Sequence, residues 1–202
     1  MTDDVARTAG KSGDGAGATR ADARRNRARL LAAAAELFAA EGSGVPIGEI
    51  ARRAGVGVGT VYRHFPTKEL LFAAVVRERL ERLAAEARVL LAADDPGEAF
   101  FAFFRSLVEG GAAKKDLSDA LAGAGIDIAS HTGDLASEVR DALAKLLLRA
   151  QRAGAVRADI AAADLYALLA GVLLAMDQRR GDVALRDRII AVVADGLRCS
   201  TA

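Results

Sequence analysis

At 202 residues the chain can bury a sizeable core as one domain or as two small ones. Hydrophobic residues make up 52% and charged residues 27%, with abundant Ala, no Trp and three Pro, a soluble globular composition that leans to helix. One cysteine, Cys199, excludes an internal disulfide, two histidines add no metal cluster, and no apolar run reaches the ~18–20 residues of a membrane span.

The net charge of +1 conceals an asymmetry. Residues 20–68 carry nine Arg and Lys against four acids, a balance of +5, so the remainder sums to −4. A basic end on an acidic body is the footprint of a nucleic-acid contact at one end. The start, Met1-Thr2-Asp3-Asp4, has neither the basic nor the apolar region of a signal peptide, and a cytoplasmic protein is expected.

Residues 1–19, rich in Gly, Ala, Ser, Thr and Asp without periodicity, are expected to be a disordered tail. Residues 20–29 turn basic, an arm able to lie along the minor groove. A first helix is expected from about Ala21 to Glu41, with Leu30, Ala34, Leu37 and Phe38 as its core stripe. Arg24 and Arg25 near its start are candidate phosphate contacts.

Residues 46–69 hold the most informative stretch. Ile50, Ala51 and Ala54 share one face of a short helix over about 47–54, and Val61 and Phe65 share one face of a second over about 58–65. Gly55-Val56-Gly57 separates them, with Gly55 free to take positive φ. Ala51, four residues before that glycine, lets the helices cross closely, and Val56 and Val61 plug the angle. This is the pattern of a helix-turn-helix whose second helix enters the major groove. On that helix Gly59 lets backbone approach a phosphate, Thr60, Tyr62, Arg63 and His64 offer hydrogen-bond donors, and Val58 can meet a thymine methyl. Thr67 is a candidate N-cap of the next helix, and Lys68 in its first turn suits an adjacent phosphate. Gly55-x-Gly57-x-Gly59 also has the look of a dinucleotide loop, but that loop needs a preceding strand and the residues before it have helical spacing.

Ile50-Ala51, Ala54-Gly55-Val56, Gly59-Thr60-Val61-Tyr62-Arg63-His64-Phe65 and Lys68-Glu69-Leu70-Leu71 resemble the signature of TetR-family transcriptional regulators, over roughly residues 24–72. Gly57 stands where that family often has Ser, and Gly48 where some members carry a base-reading side chain. The resemblance implies a bacterial DNA-binding regulator with a three-helix DNA-binding domain and a helical body that binds ligand and dimerises. It implies the same phosphate-contact role for Arg24 and Arg25, and dimerisation through the last two helices. The domain limits read as 20–68 and 69–202.

A long helix from near Lys68 to about Leu91 would join the two parts and act as a lever between them. Its expected buried stripe is Leu70, Ala74, Leu80, Leu83, Ala87 and Leu90, with Arg77, Arg79, Glu81 and Arg82 outside. Residues 97–111 form a helix with Phe100, Phe101, Phe103 and Phe104, then Leu107 and Val108, apolar nearly all round and so buried. As ordinary core each Phe needs no further role; as a group they can wall a hydrophobic pocket, with Leu107, Met176, Arg105 and His131 as further candidates and Asp127 as another polar group nearby. Residues 114–134 read as a short helix plus a loop. A helix over about 134–153 follows, with Gly154 as its stop. In the apolar stretch 161–176, Ala163, Ala167, Ala170, Gly171 and Ala175 form a small-residue stripe beside Leu168, Leu169, Val172 and Leu173, with Leu174 a further contact candidate, and the last helix, about 183–197, carries Ile189, Ile190, Val192 and Val193. These are too many apolar faces for one thin layer, so the pair reads as half of an intersubunit four-helix bundle. A core within one chain is the plainer alternative.

The function expected is a ligand-responsive repressor acting as a homodimer on a palindromic DNA operator. A constitutive DNA-binding regulator without a ligand is the alternative, and an activator has the same sequence features. No nucleophile–base arrangement, metal cluster or cofactor loop in a strand context points to an enzyme, and no cofactor is expected.

Overall fold

The computed structural model describes residues 14–109, 128–177 and 182–199. Among them the chain forms eight α-helices: α1 Asp14–Glu41, α2 Ile47–Ala54, α3 Val58–His64, α4 Lys68–Leu91, α5 Pro96–Glu109, α6 Ile128–Arg152, α7 Ala162–Asp177 and α8 Val183–Leu197. A single 3-10 turn, Gly42–Gly44, follows α1. The one β pairing among these residues is an isolated antiparallel bridge between Val156 and Arg198. The all-α architecture is as expected.

Two hydrophobic cores divide the chain. The first gathers Leu30, Leu31, Ala34 and Phe38 of α1, Ile50, Ala51 and Ala54 of α2, Val61 of α3, Phe65, and Leu71 and Phe72 of α4. Phe38 and Phe72 meet edge to face, with ring centroids 5.3 Å apart, and so fix α1 on the start of α4. The second core joins Leu83, Ala84 and Ala87 of α4 to the phenylalanines of α5, Leu143, Leu146 and Leu147 of α6, Leu165 of α7 and Ile190 of α8. Helix α4 belongs to both. Its buried face therefore changes along its length, from Leu71, Phe72 and Ala73 to Leu83, Ala84 and Ala87. The continuous stripe expected through Leu70, Ala74, Leu80 and Leu90 is only half-buried, because α4 meets α1 first and then α5 and α6 from other directions.

Three further expectations need correction. Helix α1 begins at Asp14 rather than near Ala21, so residues 14–19, expected in the disordered tail, are helical. Ala16, Ala18 and Ala21 favour helix enough to offset Gly15 and Gly17. Helix α6 begins at Ile128 rather than Asp134, with Gly133 inside it. One interior Gly costs only about 1 kcal/mol, and Thr132 beside it is buried in the body. The rest of the expected short helix and loop, with Asp127, lies outside the described residues. Arg79, expected on the outside of α4, turns inward. It donates to the carbonyls of Ser106 and Leu107 at 3.0 and 3.4 Å, near the end of α5.

Arginine closes another helix end in the same way. Arg149 of α6 donates to the carbonyls of Leu90, Leu91 and Ala93, at 3.2, 2.6 and 2.8 Å, where α4 ends. They lie in the last turn of α4 and just beyond it, where intrahelical donors run out. Gly154, at φ +70°, stops α6 as its position predicts. Beyond it the chain crosses to the end of α8, where Arg157 N–H donates to the Leu197 carbonyl at 3.0 Å.

Candidate nucleic-acid interface

Helices α2 and α3 meet across a turn built by two backbone hydrogen bonds. Gly55 N–H donates to the Arg52 carbonyl at 3.2 Å, and Val56 N–H to that of Ala51 at 3.0 Å. Gly55 caps α2 at φ +67°, a conformation that any Cβ would strain. Ala51 is fully buried at the crossing, Val61 fills the angle, and Val56 half-covers it, as the spacing predicts.

The seven residues of α3 then sort by angle. Val61 is buried, and at 100° per residue Gly59 and Arg63 lie opposite it, with Tyr62 at the flank and Val58 nearer the Val61 side; all four are exposed. Thr60 and His64 lie half-buried along the margin. Gly59 sits angularly between Tyr62 and Arg63, and a Cβ built there would meet nothing within 4 Å, so packing does not demand the glycine. It is a notch in a face of side chains. Arg63 makes no ion pair or hydrogen bond among the described residues, leaving its five donors open.

The other arginines of this region differ. Arg52 is held by Glu49 at 2.5 Å and Arg53 by Glu36 at 2.8 Å, so both act within the fold. The Arg52 hydrogen bond holds the Glu49 carboxyl below its usual range. On α1 Arg24 and Arg25 are exposed; Arg25 is hydrogen-bonded to Asp22 on its own helix, while Arg24 has no partner among the described residues. Arg27 lies over the ring of Phe65, 5.3 Å from its centroid. Sequence reading missed that contact, since nothing in the spacing joins residue 27 to residue 65. Thr67 caps α4 as expected, its side chain accepting from Leu70 N–H at 3.3 Å. Lys68 follows it half-buried, and that burial pushes its ammonium below the ordinary lysine range, opposed by Glu69.

The candidate pocket residues separate. Phe100, Phe103, Phe104, Leu107 and Met176 are buried in the body core, and Phe101 is half-buried beneath the Arg198 guanidinium, 4.5 Å from its ring centroid. Arg105 is exposed, and the side chain of His131 lies outside the described part of α6. A cavity of about 470 Å³ opens instead between α4 and α6, over Ala84, Ala87, Leu91 and Ala142, with Arg88, Glu138, Asp141 and Lys145 among its walls. Arg88 and Glu138 pair at 2.5 Å.

The residues expected at a subunit contact are exposed or half-exposed on α7 and α8. Ala163, Ala167, Ala170, Gly171, Leu174 and Ala175 are exposed, Ile189 and Val193 are half-exposed, and Val192 is 70% exposed.

Residues 30–75 match the family described as bacterial regulatory proteins, tetR family. Residues 95–199 match the C-terminal domain described as transcriptional regulator SbtR-like. A TetR transcription regulatory protein from Mycobacterium vanbaalenii is 49% identical over 89% of this chain and 99% of its own, with a TM-score of 0.67. A TetR transcriptional regulator from Streptomyces coelicolor is 39% identical over 87% of this chain and 99% of its own, with a TM-score of 0.70. No curated protein matches the chain. With both its helix-turn-helix and its helical body matched, the chain belongs to the TetR family of transcriptional regulators.

Proposed function

We propose that this regulator is a cytoplasmic bacterial repressor, a homodimer on a palindromic operator from which a small molecule releases it. The observation that carries the DNA contact is the exposed surface of α3, where Gly59 and Arg63 stand opposite buried Val61 and Tyr62 and Val58 stand exposed beside them. Arg63 is the side chain suited to bidentate guanine readout. Thr60, Tyr62, His64 and Lys68, with Arg24 and Arg25, are assigned to phosphates. The exposed apolar surface of α7 and α8 supports dimerisation there, since a monomer gains nothing by leaving Leu174 and Val192 in water. Two-fold symmetry would set the half-sites about 34–36 Å apart.

The cavity between α4 and α6 is the seat we assign to the effector, because α4 runs from that cavity to the DNA-binding core. Its alanine floor and charged walls suit a partly apolar molecule with a polar end. A ligand that binds the wrongly spaced dimer better than the operator-competent one shifts the population away from DNA. Residues 20–68 would then be the reading domain and 69–202 the sensing and dimerising one.

The test is selection of genomic fragments by the purified protein at physiological salt, with Arg63→Ala in parallel. Enrichment of one palindrome by the wild type, lost or blurred with the variant, is expected, with a cost of about 1–3 kcal/mol at that position. No enriched sequence would remove the operator reading.

A further inference from the structure

We propose that the C-terminal end of the chain sets the roll angle at which α8 faces a second subunit, and that Arg198, seated on Phe101, is the residue that positions it. The inference rests on the subunit contact proposed for α7 and α8.

Helix α8 is held to its own body along one line. Ile190 and Leu197 are its buried residues, seven positions apart and so nearly in register along the helix. A helix seated on a single line can roll about it. At about 100° per residue, Val192 stands about 200° around from Ile190, with Leu185, Ile189 and Val193 following on one side. On the other side lie Arg188 and Asp195, about 40° and 60° from Val192 and both exposed. The roll therefore decides what a partner subunit meets, an apolar sector or the two charges on its border. Burying a charge without a partner costs more than the apolar contact gains.

The restraint on that roll is gathered where α8 ends. Arg157 N–H donates to the Leu197 carbonyl at 3.0 Å and Cys199 N–H to the Ala155 carbonyl at 3.3 Å, on either side of the bridge between Val156 and Arg198. The Arg157 side chain adds a bond to the Gly196 carbonyl at 3.5 Å. The Arg198 guanidinium then lies 4.5 Å from the ring centroid of Phe101 on α5. Phe101 in turn meets Phe100 edge to face, with centroids 5.1 Å apart, and Phe100 is fully buried. Arg198 also approaches Asp195 at 3.7 Å, but both are exposed and such a pair contributes little. Its hold is the ring. A guanidinium over an aromatic face resists sideways movement, and Arg198 directly follows the last turn of α8, so the restraint passes to the helix. In a two-fold dimer the effect counts twice, once for each α8.

The test uses the full-length protein, with the dimer dissociation constant read from sedimentation over a dilution series. Arg198→Ala should raise that constant about tenfold, from a loss of severalfold in each protomer. Arg198→Lys should recover part of the loss, since it keeps the cation without the planar stack. Phe101→Leu should match Arg198→Ala, and the two together should do no more than either, as expected of groups that act as a unit. Far-UV dichroism of the diluted protomers should show unchanged helix in Arg198→Ala. An unchanged dimer constant in Arg198→Ala overturns the proposal. So does a weakened dimer whose protomer has lost helix, because the clamp then serves the fold and not the roll. Additive losses from Arg198→Ala and Phe101→Leu overturn it as well. The reference is the pair Leu174→Asp with Val192→Asp. If that variant stays dimeric, the reading of the subunit contact fails first; if it is monomeric while Arg198→Ala dimerises like the wild type, only the role of the C-terminal clamp falls.

Discussion

Arg79 of α4 donates to the Ser106 carbonyl of α5 at 3.0 Å, and Ser106 in turn donates its hydroxyl to Glu86 at 2.6 Å. The pair ties α4 to the end of α5 just beyond the point where α4 leaves the first core. Burial, with Arg82 nearby, pushes the Arg79 guanidinium below its ordinary pKa, while Glu86 and Glu109 oppose the shift. Removing it with Arg79→Met takes the side-chain donor from two carbonyls, at about 1–3 kcal/mol. Urea unfolding should show that loss, whereas Arg82→Met, at an exposed position on the same helix, should stay within about 0.5 kcal/mol.

Gly97 has a steric reason that its neighbours lack. A Cβ there would lie 2.7 Å from the Cβ of Ala155, closer than packed atoms allow. Gly97→Ala should cost about 1–3 kcal/mol as the start of α5 is forced from the turn after α6. Pairing it with Ala155→Gly should recover most of that loss in the same denaturation experiment.

The proposed subunit contact predicts a variant that changes assembly without unfolding the chain. Leu174 and Val192 are 42% and 70% exposed, so Leu174→Asp with Val192→Asp buries no charge in the folded protomer. Sedimentation should show a monomer with unchanged helical content, and operator affinity should collapse with the loss of the second half-site. A stable dimer in the double variant would place the contact elsewhere.

With Lys68 at a phosphate, as proposed, operator binding should be sensitive to alkaline pH. Its burial disfavours the charged form, and an adjacent phosphate favours it, so binding takes up a proton once the free protein has lost one. Affinity is therefore full below the free-protein pKa and falls as pH rises through it. Lys68→Arg keeps its charge throughout and should flatten that dependence in an anisotropy titration.

The reading end is legible in the sequence because its determinants are local. Gly55 needs positive φ, Ala51 needs to be small, and Val61 and Phe65 lie four residues apart, all within one turn-linked segment. The starts of α1 and α6 are less so, since Gly15, Gly17 and Gly133 mimic loop composition while the helices propagate through them. Arg79 misleads for a different reason. A long side chain on a polar stripe can fold back to a neighbouring helix end, and periodicity sees only its Cα. The phenylalanines of α5 show the same limit, because a core and a pocket wall share one apolar pattern and only the packing tells them apart.

Helix α4 is one uninterrupted rod, pinned by Arg149 at its end and by Leu71 and Phe72 at its start. Its 24 residues span about 36 Å at about 1.5 Å each, and a tilt of about 5° moves the tip of such a rod by about 3 Å. Adjacent base pairs are about 3.4 Å apart. A tilt of that size thus amounts to nearly a full step of register along the operator. The release proposed above would then need only an angle.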